Sequence, residues 1–219
     1  MTEWLLYLCN SAWEQEIVPQ EWKKGIIVKL PKKGNLQDCN NWRGIVLLSI
    51  PEKVYTRMIL WRIKKQVDAV LREEQAGFRS GRSCTDQIFT LRRILEQALE
   101  HKTPLIINFI DFEKAFDSLD RESLWKILAV YGIPPKYIRV ISNLYEDSEC
   151  CVKVENDHTQ WFKILTGVKQ GCVLSPVLFG LAMDWLMRQT IGVATRGLKW
   201  TGRPRLCGRY STALGISRG

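Results

Sequence analysis

Residues 105–110, Leu-Ile-Ile-Asn-Phe-Ile, follow Pro104 as a short apolar run and then break into acids at Asp111, Glu113, Asp117 and Asp120. A run so short, bounded by proline and rich in isoleucine, predicts a strand buried on both faces. A carboxylate at the exposed end of such a strand suits a divalent cation, because the sheet fixes its position while water and substrate still reach it. Magnesium takes one or two protein carboxylates and completes its shell with water and phosphate oxygens. A plainer explanation competes. Acids in the first turn of a following helix favour its macrodipole and need no ligand.

At 219 residues the chain can bury a core as one large domain or two small interleaved ones. A hydrophobic content of 46% with 25% charged residues excludes a disordered polymer. The net charge of +9 points to a polyanionic partner, most simply nucleic acid. Several tryptophans adjoin cations, as in Trp22-Lys23-Lys24 and Trp42-Arg43, and such pairs suit base stacking beside phosphate. The seven cysteines show no C-x-x-C spacing, and His101 and His158 lie apart from them. That speaks against a zinc site and a disulfide framework, and predicts an intracellular protein with free thiols. The apolar start at residues 4–8 is too short for a signal peptide and lacks a basic leader. Pro176 and Asp184 interrupt the longest apolar segment, 173–187, so no membrane span is expected.

Taken in order, residues 1–16 predict a helix with Trp4, Leu5, Leu8 and Ala12 on one face, ended by Pro19. Residues 25–30 predict a strand, the loop from Pro31 carries Lys32 and Lys33, and Arg43 precedes a second apolar run at 45–50. Pro51 opens a long helix, with Val54, Met58, Trp61 and Val67 read as inward. Residues 75–87 form a loop whose glycines admit an anion to the backbone, with Arg79 and Arg82 supplying charge. Thr85 is read as the cap of the next helix, with Ile88, Leu91, Leu95 and Ala98 as its buried stripe. Leu124, Ile127, Leu128 and Tyr131 mark a helix stopped at Gly132, and Tyr137, Ile141 and Leu144 mark another. Residues 151–155 and 161–165 are read as a hairpin around Asn156 and Asp157, followed by the flexible loop Gly167-Val-Lys-Gln-Gly171. Ser175 and Pro176 start a helix bearing Leu178, Leu181, Ala182 and Trp185. Alternating helices, strands and hairpins give an α+β or α/β protein.

Four stretches, in this order, resemble the reverse transcriptase of long-interspersed-element-type (non-LTR) retrotransposons. They are Lys29-Leu-Pro-Lys-Lys-Gly34 with Asn41-Trp-Arg43, Gln75-Ala-Gly-Phe-Arg-Ser-Gly-Arg82, Ile110-Asp-Phe-Glu-Lys-Ala-Phe-Asp117, and Gly167-Val-Lys-Gln-Gly-Cys-Val-Leu-Ser-Pro176. The resemblance implies an α+β right-hand polymerase fold, with fingers and part of the palm and no thumb. It divides the chain into a helical extension over 1–24, interleaved fingers and palm over 25–200, and a basic tail over 201–219. Asp111 matches the family's first metal-binding aspartate, with the Phe112 carbonyl also facing the metals, and Mg²⁺ is the implied ion. Phe116 matches the bulky position that excludes a ribose 2′-hydroxyl. Arg43 resembles the residue over the incoming nucleotide, with Lys32 or Lys33 near its triphosphate. Gln170 and Gly171 resemble the loop that positions nucleotide and template. The implied partners are an RNA template, a DNA primer and deoxynucleoside triphosphates. Two cations would serve nucleotidyl transfer, one at the attacking 3′-hydroxyl and one at the leaving pyrophosphate. A non-catalytic nucleic-acid-binding module is the alternative. An aspartyl-phosphate enzyme built on Asp111 would leave the other motifs unexplained.

One departure bears on activity. The family carries a second acidic pair in a hairpin beyond the Trp200 equivalent, whereas residues 185–219 contain no Asp or Glu. Read one base forward with synonymous codons chosen, residues 201–213 can encode Leu-Asp-Asp-Leu-Asp-Phe-Ala-Asp-Asp-Ile-Ala-Leu-Leu. The acidic pair then falls on Gly208 and Arg209, whose codons carry a G that opens an aspartate codon in the new frame. The hypothesis is a frameshift near Trp200. A cation in place of a metal ligand reverses the sign of an interaction worth roughly 4 kcal/mol at 4 Å and an effective dielectric of 20, so the chain is expected to be inactive. Sequencing the DNA that encodes residues 200–214 checks this: an Asp-Asp pair is expected in the forward-shifted frame, and its absence from every frame sinks the hypothesis.

Overall fold

The computed structural model describes residues 2–191. Its helices are α1 (Thr2–Gln15), α2 (Gln20–Lys23), α3 (Ile50–Val70), α4 (Cys84–Glu100), α5 (Arg121–Val130), α6 (Pro135–Tyr145) and α7 (Ser175–Ile191). The strands are β1 (Lys24–Pro31), β2 (Trp42–Leu47), β3 (Glu149–Val154), β4 (Asp157–His158) and β5 (Phe162–Lys163). The described residues group into two compact units, one running through Ala69 and including Lys114–Phe179, the other comprising Val70–Glu113 and residues 180–191. The tail assigned to 201–219, with Gly208 and Arg209, lies outside the described residues.

The first unit holds every strand among the described residues. β1 runs antiparallel to β2, with Ile26 opposite Leu47 and Pro31 opposite Trp42. On its other side β1 runs parallel to β3, with Lys24 opposite Glu149 and Ile27 opposite Val152. This pairing joins strands far apart in sequence. The predicted turn forms, with Val154 facing Asp157, but its second arm is β4; within the predicted arm 161–165 only β5 pairs, farther back along β3, with Phe162 opposite Cys150. Helices supply most of the core. Leu124, Ile127 and Leu128 of α5 pack inward, as do Val140, Ile141 and Leu144 of α6. Each such side chain contributes about 1.5–3 kcal/mol by leaving water. Asp120 caps α5 by accepting a hydrogen bond from the Ser123 N–H at 2.8 Å, and the Ser123 hydroxyl together with this N–H holds its carboxyl below the usual carboxylate range. For this acid the plainer explanation holds.

Two helical faces differ from expectation. Cys9 and Ala12 turn inward on α1 while Trp4 is exposed. α3 buries Tyr55, Ile59, Ile63 and Val67, and with them Glu52 and Thr56, so Trp61 projects outward, 82% exposed. Both stripes of α3 carry apolar residues at helical spacing, and the one through Tyr55, Ile59, Ile63 and Val67 faces the core.

In the second unit, Asp184 of α7 is fully buried and joins the 70–79 segment to its helix. It accepts from Arg72 Nε and from Arg188 Nε, each at 2.8 Å, while Arg188 also donates to the Val70 carbonyl at 2.7 Å. Arg79 donates to the carbonyls of Arg72 and Gln75, so its charge closes the loop instead of waiting for an anion. Ser83, not Thr85, caps α4, and among its large apolar residues only Ile94 is buried, against the predicted stripe through Ile88 and Leu95. The predicted strand at 105–110 is absent: Ile106 is 88% and Phe109 73% exposed. A strand needs a neighbour for its N–H and C=O groups, and no described segment pairs with this one.

Cys9, Cys39, Cys84, Cys150, Cys151 and Cys172 are free, and burial pushes the Cys9, Cys150 and Cys172 thiols up. Among the described residues no helix is long and apolar enough to cross a membrane. Replacing Asp184 by Ala leaves two guanidinium groups facing a buried gap. Chemical denaturation should then show a loss of about 3–5 kcal/mol, and a loss below about 1 kcal/mol contradicts this account of how the 70–79 segment is held.

Candidate functional site

One loop, residues 166–171, carries Gln170 and Gly171 and is bonded to the backbone of Phe116. On one side it is bonded to the turn that follows Lys114. The Gly167 N–H donates to the Leu119 carbonyl and the Val168 N–H to the Phe116 carbonyl, both at 2.8 Å. The Thr166 hydroxyl reaches the Asp117 carbonyl at 3.1 Å. Gly167 has φ +76°, and a Cβ there would lie 2.6 Å from Phe116 and Asp117 carbonyl oxygens. Only glycine admits this approach. On the other side, the Val46 N–H of β2 donates to the Gln170 carbonyl at 2.6 Å. Gly171, at φ +127°, lies so close that a Cβ would run into the Val46 carbonyl.

Arg121 holds the loop from beneath. Its guanidinium donates to the carbonyls of Gly167 at 2.9 Å, Ile164 at 2.8 Å, Tyr145 at 2.9 Å and Thr166 at 3.3 Å. A rigid fork of donors matches this cluster of carbonyls as a lysine would not. A second fastener is the buried Lys169. Its ammonium reaches Glu52 Oε1 and the Trp22 carbonyl, each at 3.4 Å, and lies 5.7 Å from the centre of the Tyr145 ring. Its own carbonyl accepts from the Ser175 hydroxyl at 2.8 Å, so the predicted cap residue of α7 is spent on the loop. Glu52 Oε2 is buried without a partner, and burial pushes this carboxyl up to about 7 against the pull of Lys169. Arg121, Lys169 and Glu52 escaped the sequence reading. Charged residues near a motif look like solvated surface until folding buries them.

Phe116 is half-buried and stacks on Phe179, with ring centroids 4.8 Å apart and planes at 19°. Arg43 is exposed on β2, three residues before Val46, and faces Leu30 across the ladder. Lys32 and Lys33 are exposed in the β1–β2 connection, where Lys32 donates to the Asn40 carbonyl at 3.2 Å. The loop therefore joins Phe116, Gln170 and Gly171 to the strand that carries Arg43. Asp111 and Phe112 belong to the second unit, and both are exposed in open coil, not at the end of a buried strand. Burial around the Asp117 carboxyl raises its pKa, with Lys114 pulling the other way. Among the described residues no three His, Cys, Asp or Glu side chains converge as metal ligands. The described set does not fit a pair of cations.

Residues 30–200 match the sequence profile of the family described as reverse transcriptase (RNA-dependent DNA polymerase). The chain is 32% identical to the Transposon TX1 uncharacterized 149 kDa protein of Xenopus laevis over 80% of this chain and 13% of that protein. It is 30% identical to the probable RNA-directed DNA polymerase from transposon BS of Drosophila melanogaster, over 81% of this chain and 20% of that protein. A Pol polyprotein from the type-2 retrotransposable element R2DM, also of Drosophila melanogaster, is 29% identical over 74% of the chain and 15% of its own length. The chain thus spans a fifth or less of these relatives. Among solved structures, apo telomerase of Candida tropicalis, truncated from its C-terminal domain, aligns with a TM-score of 0.53 at 18% identity. The alignment covers 89% of this chain and 46% of that one, and the shared fold is the right-hand polymerase fold.

The buried pair carries a pH signature. Glu52 binds its proton more tightly folded than unfolded, so between its ordinary value of 4.5 and about 7 the folded state holds more protons. Stability is therefore greatest below this window and falls as pH rises through it, by up to about 3 kcal/mol. Denaturation midpoints from pH 4.5 to 8.5 should fall in the parent and flatten in Glu52→Gln; equal slopes in both contradict the assignment.

Proposed function

Since the chain belongs to the reverse transcriptase (RNA-dependent DNA polymerase) family, we propose that it is a retrotransposon-type fingers and palm segment that keeps the nucleotide and template side of the polymerase site without turnover. The observation that carries this reading is the 166–171 loop, bonded to Phe116 and Val46 at 2.8 and 2.6 Å. Gln170 and Gly171 of this loop, and Phe116 bonded to it through the backbone, are of types that suit a deoxynucleoside triphosphate. A planar aromatic at Phe116 suits exclusion of a 2′-hydroxyl. Gln170 and the bare backbone of Gly171 suit contact with nucleotide and template. Arg43, with Lys32 or Lys33, suits the triphosphate, since charge-assisted hydrogen bonds to phosphate are strong and arginine makes them in pairs. Asp111 is the remaining carboxylate that would face Mg²⁺, with the Phe112 carbonyl beside it.

Inactivity rests on charge. The family's reaction draws on two divalent ions, and residues 185–219 supply no acid to oppose Asp111. A basic surface without cation ligands still binds an RNA template and a DNA primer, because phosphate neutralisation needs only lysine and arginine.

Primer extension tests both halves. The chain as it stands, given Mg²⁺, deoxynucleotides and a DNA primer on RNA, should bind the primed template in a salt-sensitive way and add no nucleotide. The same chain rebuilt from the forward-shifted frame after Trp200 should recover templated extension, lost again on Asp111→Ala. Extension by the unaltered chain that disappears in Asp111→Ala overturns the inactivity. A chain that binds no primed template overturns the function.

A further inference from the structure

We propose that the solvent face of α3 is a binding surface for single-stranded nucleic acid, with Trp61 stacking on an unpaired base and the cations around it holding phosphates. The proposal rests on the nucleic-acid reading above but concerns a surface apart from the Arg43 and Gln170 cluster.

Three observations carry it. First, Trp61 is 82% exposed at the middle of a helix whose inward face is fully occupied by Tyr55, Ile59, Ile63 and Val67. At about 100° per residue, position 61 points almost directly away from that face. A large aromatic surface left in water at the centre of a long helix is costly, and a partner that covers it gains apolar contact.

Second, its surroundings are cationic. Arg57 and Lys65 lie one turn to either side at i−4 and i+4, Lys64 lies at i+3, and all three are exposed. Lys53 extends the same face by another turn, so that Lys53 to Lys64 spans about 16 Å at 1.5 Å per residue. No acid occurs between Glu52, which is buried, and Asp68 at the far end of the helix.

Third, the ring has little apolar company on its own helix: Val54 and Met58 are only partly exposed, so α3 itself presents no broad apolar patch around Trp61. A protein interface of ordinary size needs such a patch at its centre. One aromatic flanked by lysine and arginine matches a strand of stacked bases and phosphates. Duplex nucleic acid fits less well, because its bases are already stacked on each other.

The test uses the full chain and fluorescent twelve-nucleotide uridine and thymidine strands, with a blunt duplex of equal length as comparison. Trp61→Ala should weaken single-strand binding on the order of ten- to a hundredfold, the range expected for loss of one stacked base. Duplex binding should hardly change, and Trp61→Phe should recover most of the loss. The triple variant Arg57→Gln, Lys64→Gln, Lys65→Gln should lower the slope of log K against log salt by about two. Unchanged single-strand affinity in Trp61→Ala, while Arg43→Gln weakens it, overturns the α3 surface and leaves the polymerase reading intact. Loss of all nucleic-acid binding in the parent overturns both. Trp61-dependent binding to vesicles of anionic lipid without oligonucleotide binding also overturns the proposal, in favour of a membrane surface.

Discussion

An ammonium group in a protein core costs several kcal/mol unless the chain surrounds it with acceptors, and Lys169 is 5% exposed. Its partners come from α3 through Glu52, from the end of α2 through the Trp22 carbonyl, and from the Tyr145 ring of α6. Elements far apart in sequence must therefore meet at this one side chain. The loop it belongs to inherits their rigidity, and that loop gathers Phe116, Gln170 and Gly171 against β2. The unpaired oxygen of Glu52 and its raised pKa record the cost of burying this pair.

Arg121 complements this from the other side. Four backbone carbonyls that belong to no strand ladder converge on its guanidinium. Irregular backbone of this kind carries polar groups that a core does not tolerate unpaired. Together with the glycines at 167 and 171, this lets a loop without regular structure hold a defined position. Precision at the candidate site thus comes from cations acting on backbone.

The second unit follows a different logic. Its buried residues include Ala76, Ile94, Leu181 and Ala182 together with an ionic cluster, Asp184 between Arg72 and Arg188, while α4 and the run at 105–110 leave large apolar side chains in water. An isolated β segment satisfies nothing by itself. Its hydrogen bonds and both of its faces belong to neighbours, so a run that reads as a doubly buried strand becomes open coil where no described segment lies beside it. Asp111, at its end, is exposed for the same reason.

Much was legible in the residues alone. The four motif stretches identified the family, because spacing and residue type there answer to the chemistry of nucleotide and phosphate. Helix and strand positions were legible too, since turn residues and hydrophobic period are local properties; β1, α5 and α6 stand where the pattern put them, and the turn after β3 does so as well, though its second arm is β4 rather than 161–165. What only the tertiary structure decided was which face of α1, α3 and α4 turns inward, which charges are buried, and whether residues 105–110 find a partner. α3 makes the reason plain. Two apolar stripes ran along it with equal periodicity, and the choice between Trp61 and Ile59 for the core depended on what the rest of the chain packed against it.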